Sequence, residues 1–186
     1  MITKEQESNL FALRTGIDDN NIRIKEIIKQ KLCDSPELIH ILETPDLDED
    51  IPEDYIGKSI LPYVRLPEIQ YQVNNYICFQ VDLIEDMQYN NVMAVGHITF
   101  VIFCEEKNIT TKYGIARHDL LGYLVKKIFN WSNIFGNQVK LIYDKESVTD
   151  THFSCRTIKF ELISPNSIAK TVLKKNSLVF NNQVNK

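Results

Sequence analysis

The sequence predicts an α+β domain with a mainly antiparallel sheet, on three observations. Apolar residues recur at helical spacing between 21 and 42 and again between 114 and 129. They alternate with period two, or run unbroken, in four other segments. The resulting order is N-terminal helices, two long strands, a helix and two strands, without the regular strand-helix alternation of parallel sheets. The expected organisation is a single α+β domain over 1–163, helical over 1–42, with an acidic loop over 43–58 and sheet plus helix over 60–163. A flexible, basic C-terminal arm over 164–186 follows.

Each element has a local reason. Ile24, Ile27, Ile28 and Leu32 give a helix over 21–32 one apolar stripe, with Asn20 or Asn21 available as N-cap. Asp34-Ser35-Pro36-Glu37 restarts a helix, with a Ser cap, a proline at the first helical position and an acid in the first turn. Leu38, Ile39, Ile41 and Leu42 supply its buried side. Residues 43–58 hold seven acids, one lysine and two prolines without any period, which predicts an exposed loop or partner-facing surface. Asp46, Asp48, Asp50 and Glu53 offer the hard oxygen donors of a divalent-cation site, but the glycine and ligand spacing of an EF-hand loop are missing.

Two prolines make 60–73 an extended lead-in. It feeds a strand over 76–84 with Ile77, Phe79, Val81 and Leu83 on one face and Cys78, Gln80 and Asp82 on the other. After a polar turn at Asn90 and Asn91, the run 92–104 is apolar on both faces from Ile98 to Cys104, the pattern of a central covered strand. The pair reads as a long antiparallel hairpin. In 114–129, Leu121, Leu124, Val125 and Ile128 form a helical stripe. QVKLIY at 138–143 and CRTIKFELI at 155–163 alternate, joined by a polar stretch; Ile158, Phe160 and Leu162 face one way, and Thr157, Lys159 and Glu161 the other. The last 23 residues carry four lysines and no acids. With little to bury, they form an arm that a partner orders or a disordered tail.

Composition bounds the function. At 186 residues the chain can bury roughly 70% of its unfolded surface, so its core needs neither metal nor disulfide. A net charge of -4 provides no global positive field for nucleic acid. Cys33, Cys78, Cys104 and Cys155 are scattered without a CxxC pair, which points to reduced thiols in a cytosolic setting. MITKEQESNL has no apolar signal core and no run approaches the ~20 apolar residues that span a bilayer, so a soluble protein is expected.

Two clusters raise the question of chemistry. Arg117-His118-Asp119 stands at a helix start, where consecutive side chains point about 100° apart, so the three are not expected to converge on one atom. Structural or interface roles follow, with Arg117 and Asp119 as contact or capping residues at an interface between subunits, and replacing His118 with Ala is expected to leave fold and assembly intact. Asp82 with Glu105-Glu106-Lys107 fits the loose D…ExK pattern of metal-dependent nucleases, in which two carboxylates hold Mg²⁺ and a lysine stabilises charge on phosphate. That pattern recurs by chance in charged sequences, and no basic groove accompanies it. His40, His97 and His152 lie apart from each other and from any cysteine at ligand spacing. P-loop and dinucleotide glycine patterns are absent. No cofactor and no catalytic residue is expected.

The lead-in ILPYVRLPEIQYQVNNYICFQVDL, the segment GIARHDLLGYLVKKIFN and the closing FGNQVKLIY…CRTIKFEL, in this element order, resemble small phage and prophage neck proteins of the tail terminator and tail completion (head-tail joining) family. The resemblance spans about 60–163. It implies a non-enzymatic virion protein whose subunits form a ring, often hexameric, capping the tail tube and joining it to the head connector. DNA would pass through the lumen without sequence-specific binding, no membrane would be involved, and the protein would sit in the virion neck after assembly in the host cytoplasm. Segregated charge suits head-to-tail contacts between subunits, the arm residues Lys170, Lys174 and Lys175 meeting Asp48, Glu49 and Asp50 of the next copy.

Overall fold

A computed structural model describes residues 2–12, 20–64, 75–87, 90–148 and 152–165. The helices are α1 (Lys4–Ala12), α2 (Asn20–Cys33), α3 (Pro36–Leu42) and α4 (Arg117–Phe129). The strands are β1 (Ile60–Leu61), β2 (Asn75–Met87), β3 (Asn90–Glu105), β4 (Val139–Val148) and β5 (Phe153–Pro165), and they form one sheet in the order β1-β2-β3-β5-β4. All neighbours pair antiparallel except β1 with β2. This is the α+β architecture that the periodicities predict, and the strand read as central is the third of five.

The two faces of β3 explain its unbroken apolar run. Ile98, Phe100, Ile102 and Cys104 enter the main core with Ile77 and Phe79 of β2 and Ile158, Phe160 and Leu162 of β5. Ile28 and Leu32 of α2, Leu38 and Leu42 of α3, and Leu121, Val125 and Phe129 of α4 close this core from one side. At its centre the Phe100 ring lies 5.0 Å from that of Phe129 and 5.9 Å, edge-on, from that of Phe160. Val101 and Phe103, on the opposite face, join a smaller cluster with Leu61, Cys78, Phe153 and Cys155.

Several local expectations change. β4 does not stop at Tyr143 but runs on to Val148, through residues whose polarity suggests a linker. The reason is position: it is the outermost strand among the described residues, and every residue from Tyr143 onward is at least partly open to solvent, so no apolar alternation is required there. Ser164 and Pro165, expected in the arm, close β5 opposite Ala94 and Met93. Ser35 occupies the N-cap of α3, yet its hydroxyl makes no capping bond; its backbone carbonyl accepts from the N–H groups of Leu38 and Ile39 instead. The acidic loop contains a 3-10 turn, Pro52–Tyr55, anchored by a Tyr55 ring that is 1% exposed. Lys170, Lys174 and Lys175 lie outside the described residues. Among the described residues no helix is long and apolar enough to cross a membrane.

Candidate functional site

The polar groups that gather in this fold do so around the first turn of α4. The loop before it closes through an isolated bridge between Thr110 and Ala116. Arg117 N–H donates to Ile109 O at 2.7 Å and the Thr111 hydroxyl to Ile115 O at 2.6 Å. These bonds fix the direction in which α4 starts and so place three consecutive polar side chains.

Arg117 turns inward and is 5% exposed. Its Nε donates to Asn108 O at 2.7 Å, one Nη to Ile41 O, and the other to Asn108 Oδ1 and the Glu43 carboxylate. A buried guanidinium is tolerated because its donors are matched to acceptors, and here they tie α4 to the C-terminal end of α3. Arg117, expected at an interface between subunits, spends these donors within its own chain.

His118 and Asp119 turn the other way and meet the sheet. His118 is 2% exposed, with Nε2 2.9 Å from Glu146 Oε1 on β4 and 3.7 Å from Asp119 Oδ1. Asp119 in turn pairs with Arg156 of β5. Arg156 grips Asp144 of β4 with two bonds, Nε to Oδ1 at 2.8 Å and Nη2 to Oδ2 at 2.9 Å, and Lys126 reaches the same carboxylate at 2.7 Å. Burial would raise the Asp144 carboxyl, but the hydrogen bonds from Arg156 and Lys126 outweigh it and hold the group below the usual carboxylate range. Bonding to Asp144 likewise holds Arg156 above its ordinary value. A belt of charge thus sews the helix to two strands.

The expected divergence of residues 117–119 holds for Arg117 alone. His118 and Asp119 lie between α4 and the sheet, and Glu146 reaches from β4 to meet His118. His118 is therefore a buried packing residue, and its replacement by Ala would open a cavity and lower stability.

His118, Asp119 and Glu146 are, among the described residues, the one set of three or more His, Cys, Asp or Glu groups whose donor atoms all lie within 4.8 Å of one another. The chemistry of the set disfavours a metal. Binding through Nε2 requires the proton on Nδ1, and Nδ1 is buried with no acceptor, whereas metal-bound histidines almost always donate from the second nitrogen. Asp119 already carries a guanidinium. Nε2 is already engaged by the Glu146 carboxylate at 2.9 Å.

The structure separates the other candidates. Asp82 pairs with His97 on β3, eight residues before Glu105, which at about 3.3 Å per residue is a separation of roughly 26 Å. The hairpin register therefore places Asp82 and the Glu105-Lys107 end too far apart to share a cation, correcting the proximity that the sequence allows. Asp48, Glu49 and Asp50 are exposed; Glu49 pairs with Nδ1 of His40 at 2.9 Å, and Asp48 accepts from the backbone N–H of Asp50. Asp46, Asp48, Asp50 and Glu53 do not form a donor set. Glu43, Asn108, Asp144, Glu146 and Arg156 complete the belt and the Arg117 site, and none is singled out by the sequence. Their only signal is tertiary, since each meets its partner across a gap that no helical or strand period links.

No curated protein matches the chain. The YomW family matches residues 19–162, from the start of α2 almost to the end of β5, and so covers the whole packed core. This family is phage-derived, from a Bacillus SPbeta-like prophage region, which meets the phage origin implied by the resemblance at the level of the family. The chain belongs to the YomW family.

Proposed function

We propose that the chain is a structural subunit of the phage neck, a ring-forming tail terminator or tail completion protein that joins tail tube to head connector without catalysis. The observation that supports this best is the open edge of the sheet. Strand β4 presents ten residues whose outer side no strand covers among the described residues, and from Tyr143 to Val148 every residue is exposed, although Arg156 and Lys126 cover the Asp144 carboxylate. Such an edge in an isolated subunit invites pairing with another chain. The clustered titratable groups at α4, by contrast, are engaged in holding helix to sheet. An acidic chain also suits a lumen through which DNA slides, because phosphate affinity depends on clustered Lys and Arg.

Mass photometry and negative-stain imaging of the purified protein test this reading. A ring, of six subunits by the family expectation, together with the protein in purified virions, is the expected outcome. A protein that stays monomeric at every concentration and is missing from virions would overturn it. Mg²⁺-dependent DNA cleavage by the pure protein, lost in Asp82→Ala, would return the nuclease reading.

A further inference from the structure

The sheet has a second edge that is open among the described residues, and the two edges differ in charge. On the outer side of β2, β1 covers only Ile77 and Cys78. Ile77 N–H points outward, donating to Ser59 O at 2.8 Å, so by alternation the backbone groups of Phe79 and Val81 point the same way. No strand among the described residues receives them. On the sheet face away from the helices, β2 carries Gln80, whose side-chain amide donates to Asp82 at 2.9 Å, and Asp82 itself. Glu85 and Asp86 follow in the same strand.

Strand β4 carries the opposite charge on that face. Lys140, Tyr143 and Lys145 stand opposite Glu161, Lys159 and Thr157 of β5, the side turned away from Ile158 and Phe160. The Lys159 ammonium lies 5.7 Å from the Tyr143 ring centre, as two residues on one face should. Lys140, Tyr143 and Lys145 are exposed. The acids of β4, Asp144 and Glu146, lie on the other face and are engaged by Arg156, Lys126 and His118.

We infer that the β4 edge of one copy pairs with the β2 edge of the next, Lys140 and Lys145 lying over Asp82, so that the sheet continues from subunit to subunit. The inference rests on the ring reading above and gives it a polarity. Two unlike edges on opposite sides of one sheet make a head-to-tail contact, which closes into a ring, whereas an edge that paired with itself would stop at a dimer. The basic face of one edge also disfavours β4 against β4, because lysines would then face lysines.

Two charge-reversal variants test this by mass photometry, Lys140→Glu with Lys145→Glu in one chain and Asp82→Lys in another. All three positions are on the surface side of the sheet, and circular dichroism and thermal melting check that each variant folds as wild type. Each variant alone is expected to assemble about tenfold more weakly or worse, since like charges then meet across the contact. An equimolar mixture is expected to regain rings, because the reversed β4 of one variant fits the reversed β2 of the other. Normal rings from Asp82→Lys beside failure of the lysine variant would overturn the pairing with β2 and assign the β4 edge to another surface of the next copy. Normal rings from both variants would overturn the edge contact while leaving the ring itself standing. A wild-type protein that never assembles would overturn both.

Discussion

Arg117 shows how one charged side chain can be buried without being catalytic. Its guanidinium serves the carbonyls of Ile41 and Asn108, so removing it leaves buried acceptors without donors, each costing about 1–3 kcal/mol. Arg117→Met keeps the apolar stem and is expected to lower unfolding free energy by about 2–4 kcal/mol in urea titration. Glu43→Gln, at an exposed partner, should cost less than about 1 kcal/mol. Equal losses would show that the ion pair, and not the carbonyl bonding, is what matters. The thiols give a second prediction at this scale. Burial pushes Cys104 up to about 12 and Cys33 to about 11, and thiolate is the reactive form. Both should therefore resist iodoacetamide at pH 7.5 in the native protein and react once it is denatured; rapid native labelling would contradict the packing. The sequence reveals that Arg117 and Asp119 make contacts. It cannot reveal that His118 meets Glu146, because the partner lies 28 residues on, in a strand whose reach and register depend on the assembled sheet.

At the scale of elements, α4 contains a glycine where helix propensity argues for alanine. A Cβ on Gly122 would lie 2.6 Å from Arg156 Cδ and 2.9 Å from its Nε. The arginine cannot swing aside cheaply, since Asp119 and Asp144 hold its far end. Gly122→Ala would add about 1 kcal/mol of intrinsic helix stability and lose it again by displacing the belt that joins α4 to β4 and β5. The expected net effect is a destabilisation of about 1–2 kcal/mol, an overpacking cost. In an Arg156→Ala background the same substitution should become stabilising, because the obstruction is gone; a double-mutant cycle measures the change of sign. A destabilisation of equal size in both backgrounds would mean the glycine is needed for another reason. The stripe that marks α4 as a helix is visible in sequence because burial repeats with the helical period. The need for Gly122 is not, since it arises from a residue 34 positions away. The tail of β4 is hidden for the converse reason: an exposed edge strand imposes no apolar alternation to read.

For the whole molecule, sequence periodicity specifies which residues enter the core, while the order of strands comes from long-range pairing. The α+β class, the central strand and the faces of β2, β3 and β5 follow from local alternation. The parallel pairing of the two-residue β1 and the placement of β5 between β3 and β4 do not, because no local pattern distinguishes them. The distribution of charge is visible in sequence but acquires consequences only between copies. Seven acids lie in 43–58, and four lysines with no acids lie in 164–186, so the net charge of -4 conceals two oppositely charged segments. The described core runs from Ile24 to Leu162 and β5 ends at Pro165, so deleting 166–186 leaves every described core residue in place. The truncated chain should melt within a few degrees of the full one. If the lysines of one subunit meet Asp48 and Asp50 of the next, assembly of the full chain should weaken as salt shortens the screening length from about 10 Å at 0.1 M to about 3 Å at 1 M. Truncation should then weaken assembly at low salt and flatten its salt dependence, although the edge contact of β4 with Asp82 would leave some residual slope. Mass photometry across that range separates the two sources of charge. A truncated protein whose rings keep the full salt dependence would show that the arm takes no part, and would assign the electrostatic contribution to the sheet edges.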